Sequence, residues 1–192
     1  MHVKGTAFIA RQIQVSEQFG EDAWRAFIED LANEHHYFED AIYPTSKIPL
    51  AIFLKVQDRI IERFYGGDEE AHRRLGYRAA EWALTRGPME SLLEERGDKR
   101  QYILDIVRKA WRRYFDFGDV TVAFEGDDIL LTIVELPLSH QYFERSIAGY
   151  LEKTMSLMGA ERPACEVVPT NSESSVLFRC NPGGWRELST PA

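Results

Sequence analysis

The chemistry-bearing residues of this chain are few and oddly spaced. His35 and His36 stand side by side in "NEHHYFED", and Cys165 and Cys180 are the only cysteines. Two histidines ligate one metal from a helix when they sit at i, i+4, where both imidazoles share a face; adjacent histidines in a loop point apart. The pair therefore reads as solvated or hydrogen-bonded loop residues. Two cysteines are too few for a disulfide scaffold or an all-thiolate zinc site. If the turn "NSES" sets Val167 opposite Phe178, Cys165 falls opposite Cys180 on one side of a strand pair. In a reducing cytosol the two thiols are expected to stay reduced.

No arrangement for nucleophilic or metal-assisted catalysis appears: Gly-x-Ser-x-Gly, His-Glu-x-x-His, a phosphate loop and a dinucleotide fingerprint are all missing from the sequence. "GGDEE" stops one helix and opens the next with acids, whereas a phosphate cradle needs positive charge after a strand. The expectation is a protein that is not an enzyme and that binds no metal.

Residues 105–120, "DIVRKAWRRYFDFGDV", interleave cations with aromatics, a combination that binds nucleic acid when both are exposed together. Helical spacing separates them. Tyr102, Ile103, Ile106, Val107, Ala110, Trp111, Tyr114 and Phe115 form one apolar face, and Asp105, Arg108, Lys109, Arg112 and Arg113 take the other. A formal net charge of −8 over 192 residues also repels phosphate backbones and anionic lipid. No nucleic-acid partner and no membrane partner are expected. The absence of an apolar leader in "MHVKGTAFIARQIQ" makes cytoplasmic residence the default.

Those residues must be positioned by two kinds of element. The first half reads as helices: "TAFIARQIQVSEQFG" ending at Gly20, then "EDAWRAFIEDLA" with Trp24, Phe27, Ile28 and Leu31 at helical spacing. "NEHHYFEDAIYPTSKIP" reads as irregular. "LAIFLKVQDRIIERFYGG" repeats Phe53, Val56, Ile60 and Phe64, and "DEEAHRRLGYRAAEWALTRG" puts Leu75, Ala79 and Trp82 on one stripe. The second half changes period. "DVTVAFEGDDILLTIVEL" alternates as a hairpin turning at Gly126 and Asp127, and a helix over "HQYFERSIAGYLEKTMSLMG" precedes the strands "ACEVVPT" and "SSVLFRC". Pro169 belongs at a strand end or an edge. Residues 1–182 are expected to form a single domain and 183–192 a flexible tail.

"VKGTAF", "EQFGEDAW", "YPTSKIPL", "RRLGY" and "WRRYFDFGDV", in that order, resemble a paralogous family of unknown function expanded in fruiting myxobacteria. That family is related at a distance to the heme-dependent nitric-oxide and oxygen sensor domain (H-NOX) and to the 4-vinyl-reductase ligand-binding domain. The resemblance covers residues 3 to about 180. It implies an α+β, H-NOX-like fold: a helical N-terminal half packed on a C-terminal half of helices and an antiparallel four-stranded sheet, with a pocket between them.

Function is tested residue by residue, because a fold hosts sites without dictating them. The heme sensors take their iron ligand from a histidine on the helix before the first hairpin, and residues 99–115 contain none. They grip the propionates with a Tyr-x-Ser-x-Arg triplet, where the comparable strand reads "LLTIVEL". No heme, and no other cofactor, is expected. Vinyl-reductase-like domains can hold zinc through several cysteines and an acid; here Cys165, Cys180, Glu166 and Glu173 offer too little thiolate.

The function this supports is a non-heme sensory or regulatory domain in bacterial signalling, binding a small apolar ligand between its halves. Tyr77, Trp82, Tyr102, Ile106, Trp111 and Phe143 are its candidate lining, as inward positions of their helices, and no inward position supplies a fixed charge. The alternative is a ligand-free adaptor for a signalling protein partner, with "EEAHRR" and "RKAWRR" as its charged patches. Enzymatic work on a tetrapyrrole is suggested only by the vinyl-reductase kinship.

Overall fold

The computed structural model describes residues 1–93 and 99–186, and side chains other than those of residues 92, 93, 99–101 and 104. The chain forms two compact units, Met1–Asp68 with Arg113–Asp116, and Glu69–Arg112 with Phe117 onward.

The first unit is built from three helices, α1 (Gly5–Phe19), α2 (Glu21–Glu34) and α3 (Leu50–Tyr65). Its core follows the apolar periodicity: Phe8, Trp24, Phe27, Leu31, Phe53, Val56 and Ile60 are all buried. Phe8 lies edge-on to Trp24 at 5.5 Å and Phe27 edge-on to Phe64 at 5.5 Å, while Phe8 and Phe38 stack at 5.7 Å. α3 ends at Gly66 in the left-handed region, as a terminal glycine pair predicts.

Two short strands in this unit correct the reading of "YPTSKIP" as irregular. β1 (His2–Lys4) pairs antiparallel with β2 (Lys47–Pro49), and Val3 lies opposite Ile48. Both side chains are fully buried, so a three-residue ladder is stabilised by one apolar pair. β1 is also fastened to the segment after the fifth helix: Val3 bridges Phe115, and Asp116 accepts from the His2 backbone N–H at 2.5 Å.

The second unit contains α4 (Glu70–Thr85), most of α5 (Lys99–Tyr114), the hairpin β3 (Asp119–Glu125) and β4 (Asp128–Val134), α6 (Ile147–Leu157), β5 (Ala164–Val168) and β6 (Val176–Asn181). The sheet order is β3-β4-β6-β5, all antiparallel. Val120, Ile129, Leu131, Ile133, Val176, Phe178, Cys180 and Cys165 are its buried set, the inward half of a period-2 pattern. The turn falls at Gly126 and Asp127, and Pro169 directly follows β5, both as expected.

Register across β5 and β6 also follows expectation, with Val167 opposite Phe178 and Cys165 opposite Cys180. The thiol state does not. The two cysteines form a disulfide, their Cα atoms 4.1 Å apart. Facing residues on adjacent strands bring the two thiols within bonding reach.

α4 and α6 touch backbone to backbone. A Cβ on Gly76 would lie 1.9 Å from the Ser146 carbonyl oxygen, and one on Gly149 would lie 2.0 Å from that of Arg73. Only glycine permits this approach. The Ser146 hydroxyl donates to the His72 carbonyl at 2.8 Å in the same crossing. α6 is preceded by a π-helical turn, Tyr142–Ser146, inside what its sequence presents as one helix.

Of the 183–192 segment expected as a tail, residues 183–186 return to the loop after α6. Glu161 N–H donates to Gly184, Arg186 N–H donates to Gly159, and Trp185 bridges Ala160. Residues 187–192 lie outside the described residues. Among the described residues no helix is long and apolar enough to cross a membrane.

Candidate functional site

α5 divides its faces as its spacing predicts. Ile103, Ile106, Val107, Trp111 and Tyr114 are buried, while Arg108, Lys109, Arg112 and Arg113 are exposed. Cations and aromatics thus lie on opposite faces, which is not the arrangement of a base-stacking platform.

Trp111 is the best-anchored candidate. It is 5% exposed, and its indole N–H donates to the Phe117 carbonyl at 2.8 Å, so its one polar atom is satisfied inside the core. Gly118, at φ 67°, makes the turn that brings that carbonyl back. A Cβ there would stand 2.9 Å from the Val134 carbonyl oxygen and 3.3 Å from the indole Cζ2.

The indole and two phenyl rings form one cluster. Phe117 lies edge-on to the indole at 6.2 Å, Phe143 is tilted at 6.4 Å, and Phe117 and Phe143 meet edge-on at 6.1 Å. Phe143 is fully buried and comes from the π-helical turn. That turn is fixed at its start by His140, whose Nδ1 accepts from the Tyr142 backbone N–H at 3.0 Å and whose carbonyl accepts from Phe143 at 2.9 Å. The edge-on geometries place ring hydrogens on ring faces, which holds each ring in one orientation.

The other candidates divide. Ile106 is 2% exposed and shares the inner face of α5 with Trp111, whereas Tyr102 and Trp82 are half-buried. Tyr77 is not an inward residue: it is 37% exposed, with the Lys153 ammonium 4.9 Å above its ring. The physical reason is the close crossing at Gly76. The buried stripe of α4 runs through His72, Leu75, Gly76, Ala80 and Ala83, one position off the stripe that side-chain hydrophobicity alone suggests. A residue without a side chain marks the contact, so Tyr77 and Trp82 fall to its flanks.

Phe117 was legible only as one more aromatic in "FDFGD"; its role depends on the turn at Gly118. The expectation that no inward position carries a fixed charge is also corrected. Arg11 on α1 is 3% exposed, donating from Nε to the Gln57 Oε1 at 2.7 Å and from Nη1 to the Gln14 Oε1 at 2.8 Å.

The histidines are hydrogen-bonded. His36 meets the Glu39 carboxylate at 2.5 Å, and that hydrogen bond holds its pKa above the usual imidazole value. His35 Nε2 lies 3.2 Å from the Lys55 ammonium. Among the described residues no group of three or more His, Cys, Asp or Glu side chains is placed to hold a metal.

The chain matches no protein-family model and no curated protein sequence. Solved structures do match, over nearly the whole chain. An H-NOX protein from S. oneidensis in the Fe(II) ligation state, a triple variant, has a TM-score of 0.70 at 12% identity, covering 97% of this chain and 100% of that one. A point variant of the Tt H-NOX has 0.68 at 15% identity, with 98% and 100% covered. The IWP-051-bound H-NOX from Shewanella woodyi, in the Fe(II)CO state, has 0.64 at 17% identity, with 97% and 99% covered. At such identities the likeness is one of architecture, and this chain has the H-NOX fold, helices combined with a four-stranded antiparallel sheet.

Proposed function

We propose that this chain is a sensory or regulatory domain of bacterial signalling that uses the H-NOX fold without heme and takes a small apolar ligand. The resemblance of its sequence motifs to the myxobacterial paralogous family supports the same reading, without catalysis and with a signalling protein as the downstream partner.

The observation that carries the non-heme reading is the composition of α5. Residues 99–114 include no imidazole and no thiolate, and the described inner face is Ile103, Ile106, Val107, Trp111 and Tyr114. β4 reads "DILLTIV", with neither the tyrosine, serine nor arginine that would hold propionates. The histidines of the second unit, His72 and His140, belong to α4 and to the start of the π-helical turn; their rings pack edge-on at 6.3 Å. This donor set does not fit a heme iron.

The ligand class follows from what α5 offers instead. Trp111, Phe117 and Phe143 present ring faces and edges, with the one indole donor already used, so an apolar or aromatic molecule is what this cluster would recognise. A ligand bound there at a hundred times its dissociation constant stabilises the folded state by about 2.7 kcal/mol.

A thermal-shift screen of hydrophobic metabolites tests the reading. Stabilisation by at least one compound, weakened in Trp111→Phe, supports it. A screen without stabilising compounds, together with a native mass spectrum of freshly purified protein showing no bound small molecule, counts against it.

A further inference from the structure

We infer that His140 is a proton-responsive latch on the π-helical turn, and that protonating its ring loosens the hold of Phe143 on Trp111. The device needs no ligand, so it stands or falls separately from the apolar ligand proposed for the aromatic cluster.

The latch is the bond from the Tyr142 backbone N–H to His140 Nδ1, 3.0 Å long. A backbone N–H can only donate, so Nδ1 must be the bare nitrogen of the ring. A neutral imidazole has one such nitrogen and an imidazolium has none. Asparagine, aspartate and serine are the usual acceptors at this position of a helix, and they accept across the whole neutral range. Histidine accepts only while uncharged. One added proton turns the acceptor into a donor that points at another donor. It also sets a positive charge beside the first backbone N–H groups of the helix, where positive charge is disfavoured.

His140 is half-buried, so solvent protons reach it, while Tyr142 and Phe143 behind it are buried. The ring that meets it from α4 is the buried His72, edge-on at 6.3 Å, and a second imidazole offers no negative charge to balance an imidazolium. Glu69 and Glu70, at the start of α4, bind Arg145 of the turn. Within the segment itself Glu144 accepts from Ser139, and Glu135 is exposed. Farther along α6, Glu152 pairs with Arg73 and Lys153 with Glu81. The neighbours of Phe143 on the other side, Trp111 and Phe117, carry no charge. Protonation therefore registers at the turn chiefly through the lost bond to Tyr142. The rest of the turn is held independently, by Arg145 and by the Ser146 hydroxyl on the His72 carbonyl, so the loosening is confined to Tyr142 and Phe143. Phe143 carries it to the indole of Trp111. The latch is closed while the ring is neutral and opens as pH falls through the range in which histidines titrate.

The test is an NMR titration of the full chain, without ligand, from about pH 8 to about pH 5. Three readouts are followed: the His140 ring nitrogens, the hydrogen-exchange protection of the Tyr142 and Phe143 amides, and the Trp111 indole N–H resonance. At the high end Nδ1 should be the bare nitrogen. Protection at Tyr142 and Phe143 should fall about tenfold over the titration, the equivalent of one lost cap, and the Trp111 resonance should move with the His140 midpoint. Amides beyond Ser146 should keep their protection. His140→Asn supplies an acceptor that does not titrate, so it should match the native protein at the high end and lose the pH response. The inference is overturned if Nδ1 carries the proton at the high end, a readout that needs no variant. It is overturned equally if protection at Tyr142 and Phe143 is unchanged while His140 titrates, or if the response persists in His140→Asn.

Discussion

Arg73 and Glu152 pair across the α4–α6 crossing at 2.5 and 3.1 Å, and both also bind the backbone of one residue on β5. Arg73 Nη2 donates to the Cys165 carbonyl at 2.6 Å, and the Cys165 N–H donates to Glu152 Oε1 at 3.0 Å. β5 is an edge strand, and an edge residue that is not hydrogen-bonded to its partner strand points its N–H and carbonyl outward. The ion pair fills those outward groups at Cys165. The Glu152 hydrogen bond holds the Arg73 pKa above its ordinary value.

Replacing Glu152 by alanine should therefore cost more than a surface ion pair. It strips the partner from a half-buried guanidinium and from a strand-edge N–H together, a loss of about 3 kcal/mol. Urea denaturation measures it, and an unchanged midpoint would mean that solvent replaces the pair.

Trp111→Ala should destabilise by about 3 to 5 kcal/mol, the range for removing a buried aromatic. Trp111→Phe, which keeps most of the ring and loses the bond to Phe117, should cost about 1 kcal/mol. Equal losses in the two variants would show that the indole N–H, rather than ring packing, is what matters.

The period-2 strands were legible in the sequence because alternation and turn residues agree. Val120 to Phe124 and Ile129 to Ile133 could pair in only one register around Gly126 and Asp127, and Cys165 opposite Cys180 follows from the same reasoning. β1 and β2 were not legible, since three residues with one buried apolar side chain each show no period. The aromatic site was half legible. Trp111, Ile106 and Phe143 follow from helical spacing, whereas Tyr77 and Trp82 were displaced by a contact made at Gly76, which has no side chain to reveal it. Arg11 was missed because a cation in an amphipathic helix reads as solvent-facing until two amides are found beside it.

The Cys165–Cys180 disulfide spans 15 residues of chain. A crosslink closing a loop of that length contributes about 3 kcal/mol through the unfolded state. Intact mass without reductant should fall two hydrogens below the reduced value, and dithiothreitol should lower the unfolding midpoint. Identical masses with and without reductant would show that the facing thiols stay free.

Low pH should loosen β1. Burial works to raise the Asp116 pKa, but hydrogen bonds from the His2 backbone N–H and imidazole, with the neighbouring positive charges, outweigh it and leave the carboxyl below its ordinary value. A folded-state pKa that is depressed gives stability present above the ordinary carboxylate range and lost as pH falls through the lowered value. Hydrogen exchange at Val3 and Lys4 should rise over that acidic window, beyond the intrinsic pH trend, and Asp116→Asn should remove the excess. An excess that persists in the variant would assign it to another group.

Titration of the purified protein with hemin, followed by absorbance, tests most directly whether this H-NOX fold works without heme. The account predicts only the broad spectrum of free or loosely associated hemin, with no saturation at one equivalent. A sharp Soret band saturating at one hemin per chain, shifting on reduction and addition of carbon monoxide, and lost when His72 or His140 is replaced, would contradict it.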